Sequence, residues 1–128
     1  PEWVRQHGLR EPADLLRVPL IQSSVSVVQW RDWFARFGQG LAPERMGLRF
    51  DRAMMSLDAA VQQLGVALES ATIGQGLIDS GKLQPVFDPA LCIDVQAHHL
   101  VYPARHAQRP EVQCFLDWVR QEARAPGA

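Results

Sequence analysis

Four sets of side chains in this sequence have the chemistry to act on another molecule. They are the pair Ser23 and Ser24, the pair His98 and His99, the thiols Cys92 and Cys114, and Glu69, which directly follows the apolar triplet Val66-Ala67-Leu68. A nucleophilic serine needs a strained turn with G-x-S-x-G spacing, and neither Ser23 nor Ser24 has those flanking glycines. Neighbouring histidines on a strand point to opposite faces, so His98 and His99 cannot hold one metal together in that conformation. The two cysteines lack the paired spacing of a zinc or disulfide framework and are expected to be small buried hydrophobes. Gly38 with Gly40, and Gly74 with Gly76, lack the preceding strand and the third glycine of a dinucleotide fingerprint. No catalytic residue, metal site or cofactor is expected.

What remains is recognition chemistry. The stretches QSS at 22–24, FDRAM at 50–54 and LES at 68–70 each place a small polar or charged group where a short apolar run gives way to a helix start. Hydroxyls, backbone amides and one carboxylate suit the grip of a small polar molecule. Serine and aspartate at such places also serve as helix caps, and for any one residue that role competes with binding.

Elements that would position these groups follow from punctuation and period. Pro1, Gly8, Pro12 and Pro19 limit the start to short helical turns. Leu20 and Ile21 begin a buried strand that ends in a serine-rich loop. Trp30, Trp33, Phe34 and Phe37 then recur at helical spacing and form a core-facing stripe stopped by Gly38. LRF at 48–50 alternates like a strand. Asp51 is expected to cap a helix with Met54, Leu57, Val61 and Leu64 on one side, stopped by Gly65. VAL at 66–68 is expected to be a strand buried on both faces. A helix at 72–80, strands LQPVF at 83–87 and HHLVYP at 98–103, and a helix at 110–124 with Pro110 in its first turn complete the order. Strand and helix in alternation specify an α/β layered fold with parallel strands, whose ligands bind outside the carboxyl ends of the strands.

Composition excludes several functions. The 128 residues, 47% of them hydrophobic, suffice for a domain with a real core. With 13 Lys plus Arg against 14 Asp plus Glu and no long run of one sign, no polyanion-binding patch is expected, so this chain should not itself bind nucleic acid. No apolar stretch reaches the roughly 20 residues of a membrane span. No basic-then-apolar leader opens the chain, so a cytoplasmic location and no membrane partner are expected.

The chain resembles the effector-binding domain of LysR-type transcriptional regulators, in the branch of the glycine-cleavage activator and the β-lactamase regulator. The segments that carry the likeness are PADLLRVPLI (12–21), WRDWF (30–34), FDRAMMSLDAA (50–60), LGVAL (64–68), GKLQPVF (81–87), HHLVYP (98–103) and RPEVQCFLDWV (109–119). The resemblance implies a three-layer, parallel-sheet subdomain of a type 2 periplasmic-binding-protein-like fold, in which two α/β lobes joined by crossover strands hold an effector between them. It implies that about 14–97 form the second lobe, 98–104 the return crossover strand, and 109–124 a helix belonging to the first lobe. The helix-turn-helix that binds DNA would lie outside this chain.

Further implications are a small-molecule effector of amino-acid or peptide-like type, and homo-oligomers formed through the sensing domain. The sites expected to line this half of the cleft are Ser23, Ser24, Met54, Glu69 and His99. The chain departs from the family pattern in three places. Gln63 stands where glycine is common, His98 and His99 stand where an aromatic pair is common, and Glu69 stands where a small residue or proline is frequent. A solute-binding protein of the same architecture is the alternative reading, and an enzyme on an α/β sheet is a third for which no nucleophile, metal set or phosphate loop is found.

Overall fold

Strand β1, Leu20–Ser23, is the centre of the molecule's architecture, buried at every residue. In the computed structural model, which describes residues 2–44 and 46–123, β1 lies between β2 (Leu48–Phe50) and β3 (Val66–Leu68), both parallel to it. The register pairs Ile21 with Leu48 on one side and with Ala67 on the other, and it ends at the pairs Ser23–Phe50 and Gln22–Leu68. Two units make up the chain, 1–95 and 96–128.

In the first unit, side-chain alternation along the strands sorts residues onto two helical layers. Leu20 and Val66 face the layer built from Trp30, Trp33 and Phe34 of α2 (Trp30–Phe37) and Leu15 and Val18 of the preceding segment. These aromatic rings meet edge-on, with Trp30 and Trp33 centroids 5.7 Å apart and Trp33 and Phe34 5.3 Å apart. Buried indoles need partners for their N–H groups. Trp30 Nε1 donates to the Ile21 carbonyl at 2.9 Å, and Trp33 Nε1 to the Leu91 carbonyl at 2.8 Å. On the opposite face, α3 (Ala53–Val61) packs on all three strands, and α4 (Ala71–Asp79) packs beside it. The result is the expected helix–sheet–helix sandwich.

Several local expectations are corrected. The helix α3 takes Arg52, not Asp51, as its N-cap, with no side-chain capping bond. It buries Ser56, Leu57 and Ala59, while Met54 and Leu64 are half exposed. Gly65 does not stop it, because the chain has already left the helix through Gln63 at φ +62°. Gly65 serves a different need: at φ +154° a Cβ there would sit 2.2 Å from the Pro19 carbonyl oxygen. Strand β3 is an edge, so Ala67 and Leu68 are half-buried where full burial was expected.

No strand forms at 83–87, where Pro85 cannot donate to a ladder. Phe87 instead stacks on Trp33 at 5.9 Å. Cys92 and Cys114 are exposed, not buried, because Cys92 follows a one-turn helix on the surface and Cys114 lies on the outer side of its helix.

The second unit contains α5, Pro110–Glu122, close to its expected span; residue 124 lies outside the described residues. No strand forms at 98–103. A single extended run needs a partner ladder, and none of the described residues 96–123 supplies one. His98 and His99 are therefore exposed on irregular backbone, and the opposed placement expected of a strand does not apply. Leu116 is buried, whereas Phe115 and Trp118 are largely exposed. Among the described residues no helix is long and apolar enough to cross a membrane.

Candidate functional site

The carboxyl ends of β1 and β3 lie side by side because the two strands pair in parallel through Gln22 and Leu68. One residue further along each strand stand Ser23 and Glu69, both on the face covered by α3. From α3, in its second turn, Ser56 points at the same spot. Ser23 and Ser56 are fully buried, and Glu69 is about half-buried. The three residues come from three elements that the fold brings together, not from one local motif.

The electrostatics of this spot are unusual for the molecule. Burial pushes the Glu69 carboxyl above its ordinary value, and the Ser56 hydroxyl, the Ser70 N–H and the Ser23 hydroxyl oppose the shift without cancelling it. No charged side chain among the described residues pairs with Glu69 or contributes to its shift. Although the hydroxyl of Ser56 faces the carboxyl, neither Ser56 Oγ nor Glu69 Oε1 completes a well-aligned hydrogen bond, and both atoms are shut away from water. Buried polar atoms left in this state are costly and rare.

On the opposite face of β1 the polar groups are spent. Gln22 accepts from the Trp30 N–H at 3.1 Å and donates to Gln29 Oε1. Gln29 Nε2 in turn donates to the Ser26 carbonyl at 2.6 Å and the Ser23 carbonyl at 3.2 Å. That network fixes the loop between β1 and α2 and leaves it little to offer a ligand.

The sequence-predicted residues therefore divide. Ser23 and Glu69 are brought together. Ser24 is on the same rim, but its hydroxyl donates to the Phe50 carbonyl at 3.1 Å, beside its own N–H at 2.8 Å, so it ties β1 to β2. Met54 is exposed in the first turn of α3. His99 belongs to the second unit and is exposed there. Ser56 was missed: the stretch AMMSLDAAV shows a lone hydroxyl among mostly apolar residues, but not that it faces Glu69. Among the described residues no three His, Cys, Asp or Glu side chains are grouped to hold a metal ion.

Comparison with known proteins decides the family. Residues 2–124 match the family described as the LysR substrate binding domain. The chain belongs to that family. The domain is 38% identical over 119 residues to an uncharacterized HTH-type transcriptional regulator, y4mQ, of Sinorhizobium fredii, covering 91% of this chain and 39% of that protein. It is 37% identical over 115 residues to the HTH-type transcriptional regulator PerR of Escherichia coli, covering 89% of this chain and 38% of that one. To the glycine cleavage system transcriptional activator of Escherichia coli it is 27% identical over 117 residues, with 91% and 38% covered. The substrate-binding domain thus spans about two fifths of the length of these curated relatives. No solved structure matches the chain.

Proposed function

We propose that this chain is the effector-sensing part of a LysR-type transcriptional regulator, gripping a small molecule at the carboxyl ends of its parallel strands. The observation that carries the reading is the meeting of Ser23, Ser56 and Glu69 at one sheet end, in a chain of the LysR substrate-binding family. Rims of this kind are where α/β sheets hold ligands. Similarity to HTH-type regulators favours this role over solute delivery to a transporter. DNA binding would fall to a helix-turn-helix elsewhere in the whole protein, which would work in the cytoplasm as a homo-oligomer.

Residues 14–97 would be the second lobe of a two-lobed sensor, supported by the division of the chain after Val95. Residues 98–104, unpaired in this chain, would become the return crossover once a companion lobe supplied a neighbouring strand, and 109–124 would belong to that lobe. Binding would close the lobes on the effector and pass the change to the DNA-binding domain, with no bond made or broken.

The test is hydrogen–deuterium exchange on the full-length regulator with any metabolite found to raise its melting temperature. Slower exchange is expected at 22–24, 50–54 and 68–70. Protection confined to other segments would remove the rim from the reading.

A further inference from the structure

The effector's chemical class follows from what Glu69 lacks, given the sensing role proposed above. A carboxylate withdrawn from water is ordinarily paired with a cation or saturated with donors. Glu69 has neither: hydroxyls of Ser56 and Ser23 and the N–H of Ser70 face it, its Oε1 is buried without a bond, and no charged side chain among the described residues neutralises it. The fully buried Ser56, whose hydroxyl also lacks a partner, backs the carboxyl from inside α3. The residue as a whole is only half-buried and stands at the rim, one position past the end of β3.

We propose that the effector carries a primary ammonium group, which the Glu69 carboxylate receives at the mouth of the site. An anionic effector would meet an uncompensated negative charge. A neutral one would leave the cost of burying that charge in place. A divalent cation would need several more oxygen or nitrogen ligands than one carboxylate and two hydroxyls provide, and no acidic or histidine cluster is grouped with Glu69 among the described residues. An ammonium group supplies the missing charge and a strong, charge-assisted hydrogen bond. Exposed Met54 and Met55 in the first turn of α3, and Ile73 in the first turn of α4, give the same end of the sheet an apolar border. The rest of the effector should therefore be small and partly apolar, as in a free amino acid or a short alkylamine. The raised proton affinity of Glu69 agrees with this, since a proton is the cation the site takes when no other is offered.

Titration calorimetry on the full-length protein tests the class, using the free α-amino acids and short alkylamines as probes, each against its N-acetyl derivative. At least one free amine is expected to bind, with its N-acetyl form at least about tenfold weaker, and Glu69→Gln should weaken the amine by a similar factor. Affinity in the wild type should also fall as pH drops towards the Glu69 range, because protons compete for the carboxylate, and this dependence should vanish in Glu69→Gln. The proposal is overturned if no amine binds, if acetylation changes nothing, or if Glu69→Gln leaves the affinity intact. Met54→Trp, at an exposed position, separates the two readings. If it blocks a ligand that Glu69→Gln does not affect, the rim is the binding site and the ammonium class is wrong; if neither variant affects a bound ligand, the rim itself is wrong.

Discussion

Aromatic and large aliphatic side chains stud both units of this chain, yet they meet opposite fates. Trp30, Trp33 and Phe34 are 2%, 4% and 0% exposed, whereas Val101, Phe115 and Trp118 are 91%, 53% and 55% exposed. The first set has a parallel sheet as its platform and Phe87 and the Leu91 carbonyl to close over it. In the second unit, Leu100, Val101, Tyr102, Val112 and Phe115 line only an open apolar hollow of about 260 Å³. An apolar pattern states what gains from burial; it does not supply the surface that buries it.

The sharpest way to break this contrast is one substitution made in both units. Phe34→Ala should cost about 3–5 kcal/mol, the range for emptying a packed aromatic site. In Phe115→Ala the loss should stay within about 0.5–1 kcal/mol. Urea unfolding followed by tryptophan fluorescence reads both, and equal losses would mean that the second unit has a core of its own.

Backbone geometry gives the next largest effect. Gly65→Ala should destabilise by about 1–3 kcal/mol, since its Cβ meets the Pro19 carbonyl on the far side of the β1–β3 seam. A melting temperature unchanged by this substitution would show that β3 can drift away from the start of β1.

Hydrogen exchange compares the units without mutation. Amides of Ile21 and Gln22, in the central strand, should exchange only through global unfolding, while those at 98–102, which lie in no helix or strand, should exchange through local opening orders of magnitude faster. Similar rates in the two segments would contradict the unpaired state of 98–103.

The smallest effect concerns Glu69. Its raised value means that the folded chain holds the proton more tightly than the unfolded chain does. Stability from that proton is complete below the ordinary value of 4.5 and is lost as pH rises through the raised folded value. At neutral pH the wild type thus bears the cost of a half-buried charge that glutamine does not. Glu69→Gln should melt higher at pH 7 by on the order of a degree or two, the shift being moderated by solvent that still reaches the group, and the gap should close in acid.

Much of the first unit could be read from the sequence because its signals are local. The aromatic spacing of 30–37, the glycine at 38 and the short apolar runs at 20–23, 48–50 and 66–68 each specify an element within a few residues. The runs at 83–87 and 98–103 look equally strand-like, but a strand is completed by a distant neighbour, and none of the described residues supplies one for either. The cap at Asp51 failed for a related reason: the helix begins one residue later, so the aspartate's reach misses the free N–H groups. Exposure of Cys92 and Cys114 reflects positions on outer surfaces that composition does not reveal. As for the site, Glu69 was visible as a charge placed directly after an apolar strand. Ser56 was not, because only the packing of α3 across the sheet shows which of its faces meets that charge.

Gln63 occupies a left-handed corner that most side chains avoid, between the end of α3 and the beginning of β3. The angle of that corner sets where β3 enters the sheet, and with it the direction in which the carboxylate at the strand's far end is aimed. In the sensing role proposed above, specificity at the rim would be governed in part by a solvent-facing bend outside the site.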